Sequence, residues 1–339
     1  MFNPKSKIQN LKCLILSIPV NFSPTASGRF RSFLKCSGTS ARLLCCLLLC
    51  AALTASLSRS QAREPELLET GSASKTRVLA APAPASIKLV SYNIRWRGGA
   101  DLRELIELLR HDTEIGQATI IGLQEVDRNK KRTDNRNTAR MIAEELGLHY
   151  AWAAPPPAPG KEQQEEETGV AILSIYPLTN VARIVLPNEG PGGRRRVGLG
   201  ATVTIGPNIL RVYTVHAETR TTKEKRTQQL QAVLDDLARQ PKQERAVILG
   251  DFNTITDDDR QATRKLFTGA RFQTPFPDGE PTWKTFIIKL KLDWVWLRGL
   301  RPLDHGIDRK IGLSDHWPLW VNIRMDEASE TEKTATTPK

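Results

Sequence analysis

The chain has 339 residues, 40% hydrophobic and 25% charged, which excludes a disordered or fibrous protein and suffices for one large domain or two small ones. Its net charge of +12 is no argument for a nucleic-acid partner: residues 1–62 carry 8 Lys or Arg and no Asp or Glu, and subtracting those 8 from 49 leaves 41 basic against 37 acidic residues, a net of +4. All 5 cysteines (Cys13, Cys36, Cys45, Cys46, Cys50) lie in the first 50 residues, so the rest of the chain has neither a disulfide nor a thiolate metal site.

The segment Leu43–Ala55 is 13 apolar or small residues after Arg42, short of the roughly 20 that a bilayer-spanning helix needs. It reads as the apolar region of a signal peptide, with Ser60-Gln61-Ala62 as the cleavage site and an uncleaved signal anchor as the alternative. The expectation is an exported protein, periplasmic or extracellular, or one held at a membrane through this segment. The 42 residues ahead of it are long for such a leader and suggest a misplaced start. Residues 63–86 are rich in Ala, Pro, Ser and charge without an apolar period, and read as a linker.

Regular texture begins at Ile87. Ile87–Ile94 is a buried-strand run, and Asp101–Arg110 has helical apolar spacing. Strand 119–123, helix 135–146 closed by Gly147, and an exposed Pro-rich then acidic loop at 154–168 follow. Strands are expected at 170–175, 181–186, 199–206, 209–216, 246–249, 292–298 and 318–324, and helices at 221–239 and 258–267. Residues 87–325 therefore form the expected folded domain, and 326–339 a disordered tail. Strands outnumber helices, and hairpin pairs mix with strand–helix–strand units. That pattern predicts an α+β domain of two packed sheets with helices outside.

Several apolar strands end in a carboxylate, amide or imidazole: Asn93, Glu125, His216, Asp251 with Asn253, Asp293, and Asp315 with His316. Singly, each is an ordinary turn former or structural residue. Together they supply the oxygen donors a hard divalent cation prefers and the proton carriers phosphoryl transfer needs. With no cysteine cluster and no HExxH, tightly bound zinc is not expected.

The segments SYNIR, LQEVDR, TGVAILSIYPL, TVHAE, ILGDFN, LDWVW and SDHWPL, in this order over about 70% of the chain, resemble the endonuclease/exonuclease/phosphatase superfamily. The resemblance implies a four-layer α/β/β/α sandwich of the deoxyribonuclease I-like kind. It also implies a metal-dependent phosphoesterase that uses Mg2+ or Mn2+, with room for a second divalent ion. By that resemblance Glu125 is the principal metal ligand, helped by Asn93 and Asp315. Asp251 and Asn253 orient the attacking water and the phosphate. His316, paired with Asp293, is the general base or a donor to a non-bridging oxygen, and His216 is the second imidazole.

Two positions depart from the family's wording. His-Ala-Glu stands at 216–218 where His-Leu is usual, and Glu167 stands where an aromatic residue often precedes TGVAIL. Glu167 could pair with His216 or belong to the exposed acidic run. Basic residues at 128–140, including Arg132, and the run Arg194, Arg195 and Arg196 are the candidate substrate-binding groups, or else solvated surface. The leading expectation is phosphodiester hydrolysis of endonuclease type by in-line attack of an activated water. The alternatives are a phosphatase or sphingomyelinase-like phospholipase acting on a phosphorylated lipid or sugar, and a non-catalytic binding protein of the same fold. No obligate protein partner is evident.

Overall fold

The computed structural model describes residues 67–75, 84–160, 167–241 and 244–325, all within the unit Arg63–Lys339. The expected leader over 1–62 and tail over 326–339 lie outside the described residues. Two large sheets carry the fold. The first has seven strands in the order β1 (Leu68–Ser72), β4 (His149–Ala153), β5 (Glu167–Ser174), β3 (Ile120–Arg128), β2 (Ser86–Asn93), β14 (Leu319–Arg324) and β13 (Pro302–Ile307). The second has five, in the order β12 (Asp293–Arg298), β9 (Ala246–Asp251), β8 (Asn208–His216), β7 (Val197–Ile205) and β6 (Leu178–Val185). A short hairpin pairs β10 (Trp283–Lys284) with β11 (Lys289–Leu290).

Two strand pairs are parallel, β2 with β3 and β8 with β9. Each is bridged by a crossover helix, as parallel neighbours require: α1 (Gly99–His111) in the first sheet and α3 (Lys223–Arg239) in the second. The remaining helices are α2 (Thr138–Leu146) and α4 (Asp257–Gly269).

Period-two alternation divides the apolar residues among three cores. Leu89 of β2, Ile172 of β5, Leu199 of β7 and Leu249 of β9 meet between the sheets. Val90 and Tyr92 point the other way, onto Leu105 and Leu109 of α1 and Ile142 of α2. On the far side, Tyr213 and Val215 of β8 pack on Leu230 and Val233 of α3 and Phe267 of α4. The layers are therefore helix, sheet, sheet, helix, the expected α+β sandwich. The sheets approach closely at Gly122, where an added Cβ would lie 2.1 Å from Leu249 Cδ1.

The helix ends follow their sequence signals. The Asn137 side chain accepts from the backbone N–H groups of Ala139 and Arg140, and Gly147 closes α2 in the left-handed region at φ 69°. Thr256 and Asp259 form a reciprocal capping box at the start of α4.

The linker expectation over 63–86 does not hold for Leu68–Ser72. This polar, glycine-containing segment pairs antiparallel with β4 as the edge strand β1, and its order comes from the neighbour rather than from its own pattern. Strand β4 was not expected either, since its 5 residues are too short to show a period of their own. Strand β13 was hidden because Pro302, Asp304 and Gly306 are tolerated there by an exposed sheet edge. The loop expected over 154–168 ends sooner, because Glu167 and Thr168 already belong to β5.

Candidate active site

The sheet registers gather the strand ends. Asp251, last in β9, pairs with His216, last in β8, on one side and with Asp293, first in β12, on the other. Gly250 makes this close approach feasible: its φ is 134°, and a Cβ there would lie 2.1 Å from the Val215 carbonyl oxygen. In the facing sheet Asn93 ends β2 opposite Gln124 of β3. The next residue, Glu125, sits at a register shift between Gln124 and Val126 with φ 55°. A bulge of this kind re-aims one side chain out of the alternation. The left-handed backbone costs on the order of 1–3 kcal/mol. It is clamped by hydrogen bonds from the Ile94 N–H to the Gln124 carbonyl (3.1 Å) and from the Trp96 N–H to the Glu125 carbonyl (2.9 Å).

One carboxylate oxygen is the centre of the cluster. Asp251 Oδ2 accepts from Asn93 Nδ2 at 3.1 Å and lies 3.6 Å from His216 Nε2 and 3.8 Å from His316 Nε2. Asn93 Nδ2 also reaches Glu125 Oε1 at 3.3 Å within its own sheet, so the bond to Asp251 is the one that links the two sheets. Asp251 Oδ1 accepts from the Asn253 backbone N–H at 3.0 Å, and Asn253 Nδ2 donates to the Ala217 carbonyl at 3.0 Å. His316 Nδ1 lies 2.9 Å from Asp293 Oδ2, which also accepts from the Thr282 hydroxyl at 2.7 Å. The Thr282 hydroxyl oxygen in turn takes the backbone N–H groups of Leu292 and Asp293, so the carboxylate is fixed by its own loop.

Burial and charge set the protonation states. Burial most of all, then the Asp293 and Glu125 carboxylates, pushes the Asp251 carboxyl upward, although His316 opposes this. Burial alone would depress His316, but Asp293 and Asp251 outweigh it and hold the imidazole above its ordinary value. His216 moves the other way: burial, then Arg196, His316 and Arg194, holds it well below 6.5, so it is neutral. Arg196 approaches His216 Nδ1 at 3.4 Å and can only donate. His216 therefore keeps its proton on Nε2, the atom facing Asp251.

The donor chemistry suits a cation. Asp251, Asp293 and His316 offer ligand atoms within 4.8 Å of one another and could hold a metal ion. Asp293 already serves His316 and Thr282, whereas the Glu125 carboxylate has Asn93 as its hydrogen-bond partner. Burial chiefly pushes Asp251 upward, and the neighbouring Asp293 and Glu125 carboxylates add to it; a divalent ion relieves that crowding of negative charge. The Asp315 carboxylate is turned toward Arg95, 3.6 Å away, and hydrogen-bonds to Ser314 rather than to the Asn93–Glu125–Asp251 group.

The basic candidates divide. Arg194 and Arg196 both engage the fully buried Glu218 at 3.0 Å, next to the Ala217 that stands where Leu is usual. Arg195 turns away, donating to the Leu186 carbonyl and facing Glu189, so the three do not act as one anion patch. Arg132 pairs with the buried Asp127 at 2.6 Å and stacks 4.1 Å over the Trp96 ring. Glu167 neither meets His216 nor joins an exposed acidic run; it is buried and takes Arg128 Nε at 2.9 Å. Sequence reasoning missed Glu218 and Thr282. Glu218 was visible only as the residue after the unusual His216-Ala217 pair, and Thr282 stands in no motif.

No curated protein sequence matches the chain. Among solved structures it is similar to an endonuclease/exonuclease/phosphatase from Beutenbergia cavernae DSM 12333 (TM-score 0.57, 17% identity, 71% of this chain and 72% of that one). It is also similar to the human nocturnin catalytic domain with bound sulfate (0.53, 19%, 71% and 95%). A third is ANGEL2, a 2',3'-cyclic phosphatase (0.54, 15%, 77% and 99%). The profile of the Endonuclease/Exonuclease/phosphatase family matches residues 90–316, which spans every strand-end residue described above, and the chain belongs to that family of phosphoester hydrolases.

Proposed function

We propose that this chain is a divalent-metal-dependent phosphodiesterase that attacks phosphorus in line with an activated water. The observation that carries the reading is the convergence of Asn93, His216 and His316 on one buried oxygen of Asp251, with Glu125 alongside. Mg2+ or Mn2+ is the expected ion, held by Glu125 with Asn93 in support; the Asp315 carboxylate, turned toward Arg95, would join them only by leaving that pair, and a second ion could be accommodated near Asp251. When bound, the ion supplies charge neutralisation for a phosphoryl oxygen.

The chain's own groups do the rest. Asp251, its affinity for protons raised by burial, accepts the proton of the attacking water. His316, kept protonated by Asp293, donates to a non-bridging oxygen, which favours the donor role over that of general base. Neutral His216 donates from Nε2, and Asn253 fixes the Asp251 carboxylate through its backbone N–H. Donors preorganised in a buried site of this kind are each worth roughly 10²–10³-fold in rate.

A diester rather than a monoester is favoured by the charge balance. Arg95, Arg132, Arg194 and Arg196 each face a carboxylate, leaving little uncompensated positive charge for a dianion. The sulfate of nocturnin and the cyclic phosphate chemistry of ANGEL2 support a site shaped for a tetrahedral oxyanion. The natural diester is a nucleic acid or a phospholipid, with a phosphatase acting on a phosphorylated sugar as the alternative. The reading includes export or membrane tethering through Leu43–Ala55.

The test compares bis-p-nitrophenyl phosphate, p-nitrophenyl phosphate, plasmid DNA and sphingomyelin with Mg2+ or Mn2+, and with EDTA. Diester turnover that EDTA abolishes is expected. EDTA-insensitive turnover would remove the metal from the account, and no turnover on any substrate would leave a binding protein of this fold.

A further inference from the structure

The hairpin β10–β11 has a composition that neither turn chemistry nor packing explains. Its loop runs Lys284-Thr285-Phe286-Ile287-Ile288-Lys289. The Thr285 N–H donates to the Ile288 carbonyl at 2.7 Å, and the Ile288 N–H donates to the Thr285 hydroxyl at 3.2 Å. Tight hairpin loops ordinarily use Asn, Asp or Gly, which accept the required backbone and leave water undisturbed. Here Phe286 is fully exposed, Ile287 is 83% exposed and Ile288 49%. Among the described residues, the exposed large hydrophobics are Ile209, Phe286, Ile287, Ile288 and Leu303, so the cluster at the loop is not matched elsewhere. Water-exposed apolar side chains gathered at a tip mark a surface that is covered in use.

The charge around the tip identifies what covers it. Lys284 and Lys289 flank the apolar residues, and 281–292 contains no Asp or Glu. An apolar tip with a cationic collar is complementary to an anionic bilayer, whose headgroups attract the lysines while the acyl boundary accepts the side chains. The hairpin is also fastened to the candidate active site. Trp283 forms a β-bridge with His316, the Lys284 N–H donates to the Asp315 carbonyl at 2.8 Å, and Thr282 holds Asp293.

We propose that this hairpin is a membrane-docking element that inserts Phe286 and Ile287 into an anionic phospholipid surface. Docking places the His316–Asp293 pair one short strand away from the lipid headgroups. The consequence that membrane-held phosphodiesters are presented to the site rests on the proposed hydrolase activity; the docking does not. Each lysine at such a surface adds roughly fivefold to binding, and this contribution fades as salt shortens the Debye length.

The experiment uses the full chain and vesicles of phosphatidylcholine with or without 30% phosphatidylserine, roughly the anionic fraction that sustains a surface potential. Because the N-terminal apolar segment could bind lipid by itself, the hairpin is read by a local probe. In Phe286→Trp, brominated acyl chains should quench the fluorescence gained over the parent, and more strongly with phosphatidylserine present. The double variant Phe286→Trp/Ile287→Ser should be quenched less by brominated lipid than Phe286→Trp alone while turning over bis-p-nitrophenyl phosphate at the parent rate. If the fluorescence added by Phe286→Trp is untouched by brominated lipid, the docking is overturned. Failure of the parent to turn over the soluble diester would instead strike the proposed function and leave the docking standing.

Discussion

Arg196 donates to the buried Glu218 carboxylate at 3.0 Å, and this contact holds its guanidinium 3.4 Å from His216 Nδ1. The carboxylate thus determines, through Arg196, which nitrogen of His216 bears the proton. Glu218→Gln should lower kcat for the diester roughly tenfold or more, toward the loss seen when one preorganised donor is removed, with a smaller change in KM. It should also lower Tm, because Arg194 and Arg196 lose their shared partner. Steady-state kinetics with a thermal melt reads both.

Asp293→Asn removes the charge that orients His316. The ring then loses the main group that raises its proton affinity, while Thr282 can still hydrogen-bond to the amide. A 10²–10⁴-fold fall in kcat is expected, roughly the worth of one positioned proton carrier. NMR titration of the His316 ring should show its pKa lower than in the parent. An unchanged His316 titration would mean the pair is not coupled as described.

Gly122 is the point where the two sheets touch, with an added Cβ 2.1 Å from Leu249 Cδ1. Gly122→Val overfills that contact and should destabilise the fold by about 1–3 kcal/mol. Urea unfolding measures it, with the denaturant slope unchanged if the effect is local packing.

Lys291 gives a pH signature. Its side chain is buried against the Trp294 and Phe276 rings without a hydrogen-bond partner, and burial lowers its pKa from 10.5 to about 8. Between those values the unfolded chain holds a proton the folded chain has released, so folding gains as pH rises through this window. Lys291→Met should therefore exceed the parent in stability below about pH 8, by on the order of 1–3 kcal/mol after loss of the cation–π contacts. The gap should close as pH approaches 10.5. Denaturation at a series of pH values checks the sign, and a constant gap would contradict it.

The layers and the strand-end residues were legible in the sequence because local signals carried them. Leu89, Val90 and Tyr92 alternate as a two-sided buried strand, and Asn137 and Gly147 mark the ends of α2. The chemistry-bearing residues stand where apolar runs stop. What the sequence hid depends on partners far along the chain. The edge strand β1 takes its order from β4, and β13 from β14. The Glu125 bulge has no residue signature, since the left-handed backbone falls on a glutamate. The clusters of arginines looked like a polyanion surface because the partners Glu218 and Glu167 come from other segments, and the turn that brings Arg132 back onto nearby Asp127 has no pattern of its own.

The most direct test of the central claim is the diester turnover of Glu125→Ala, Asp251→Ala and His316→Ala, measured with Mg2+ or Mn2+ beside a thermal melt of each. Each variant should remain folded and lose at least roughly 10²-fold in kcat/KM. Near-parent turnover in any two of them would mean that these residues, close as they lie, do not work as one site.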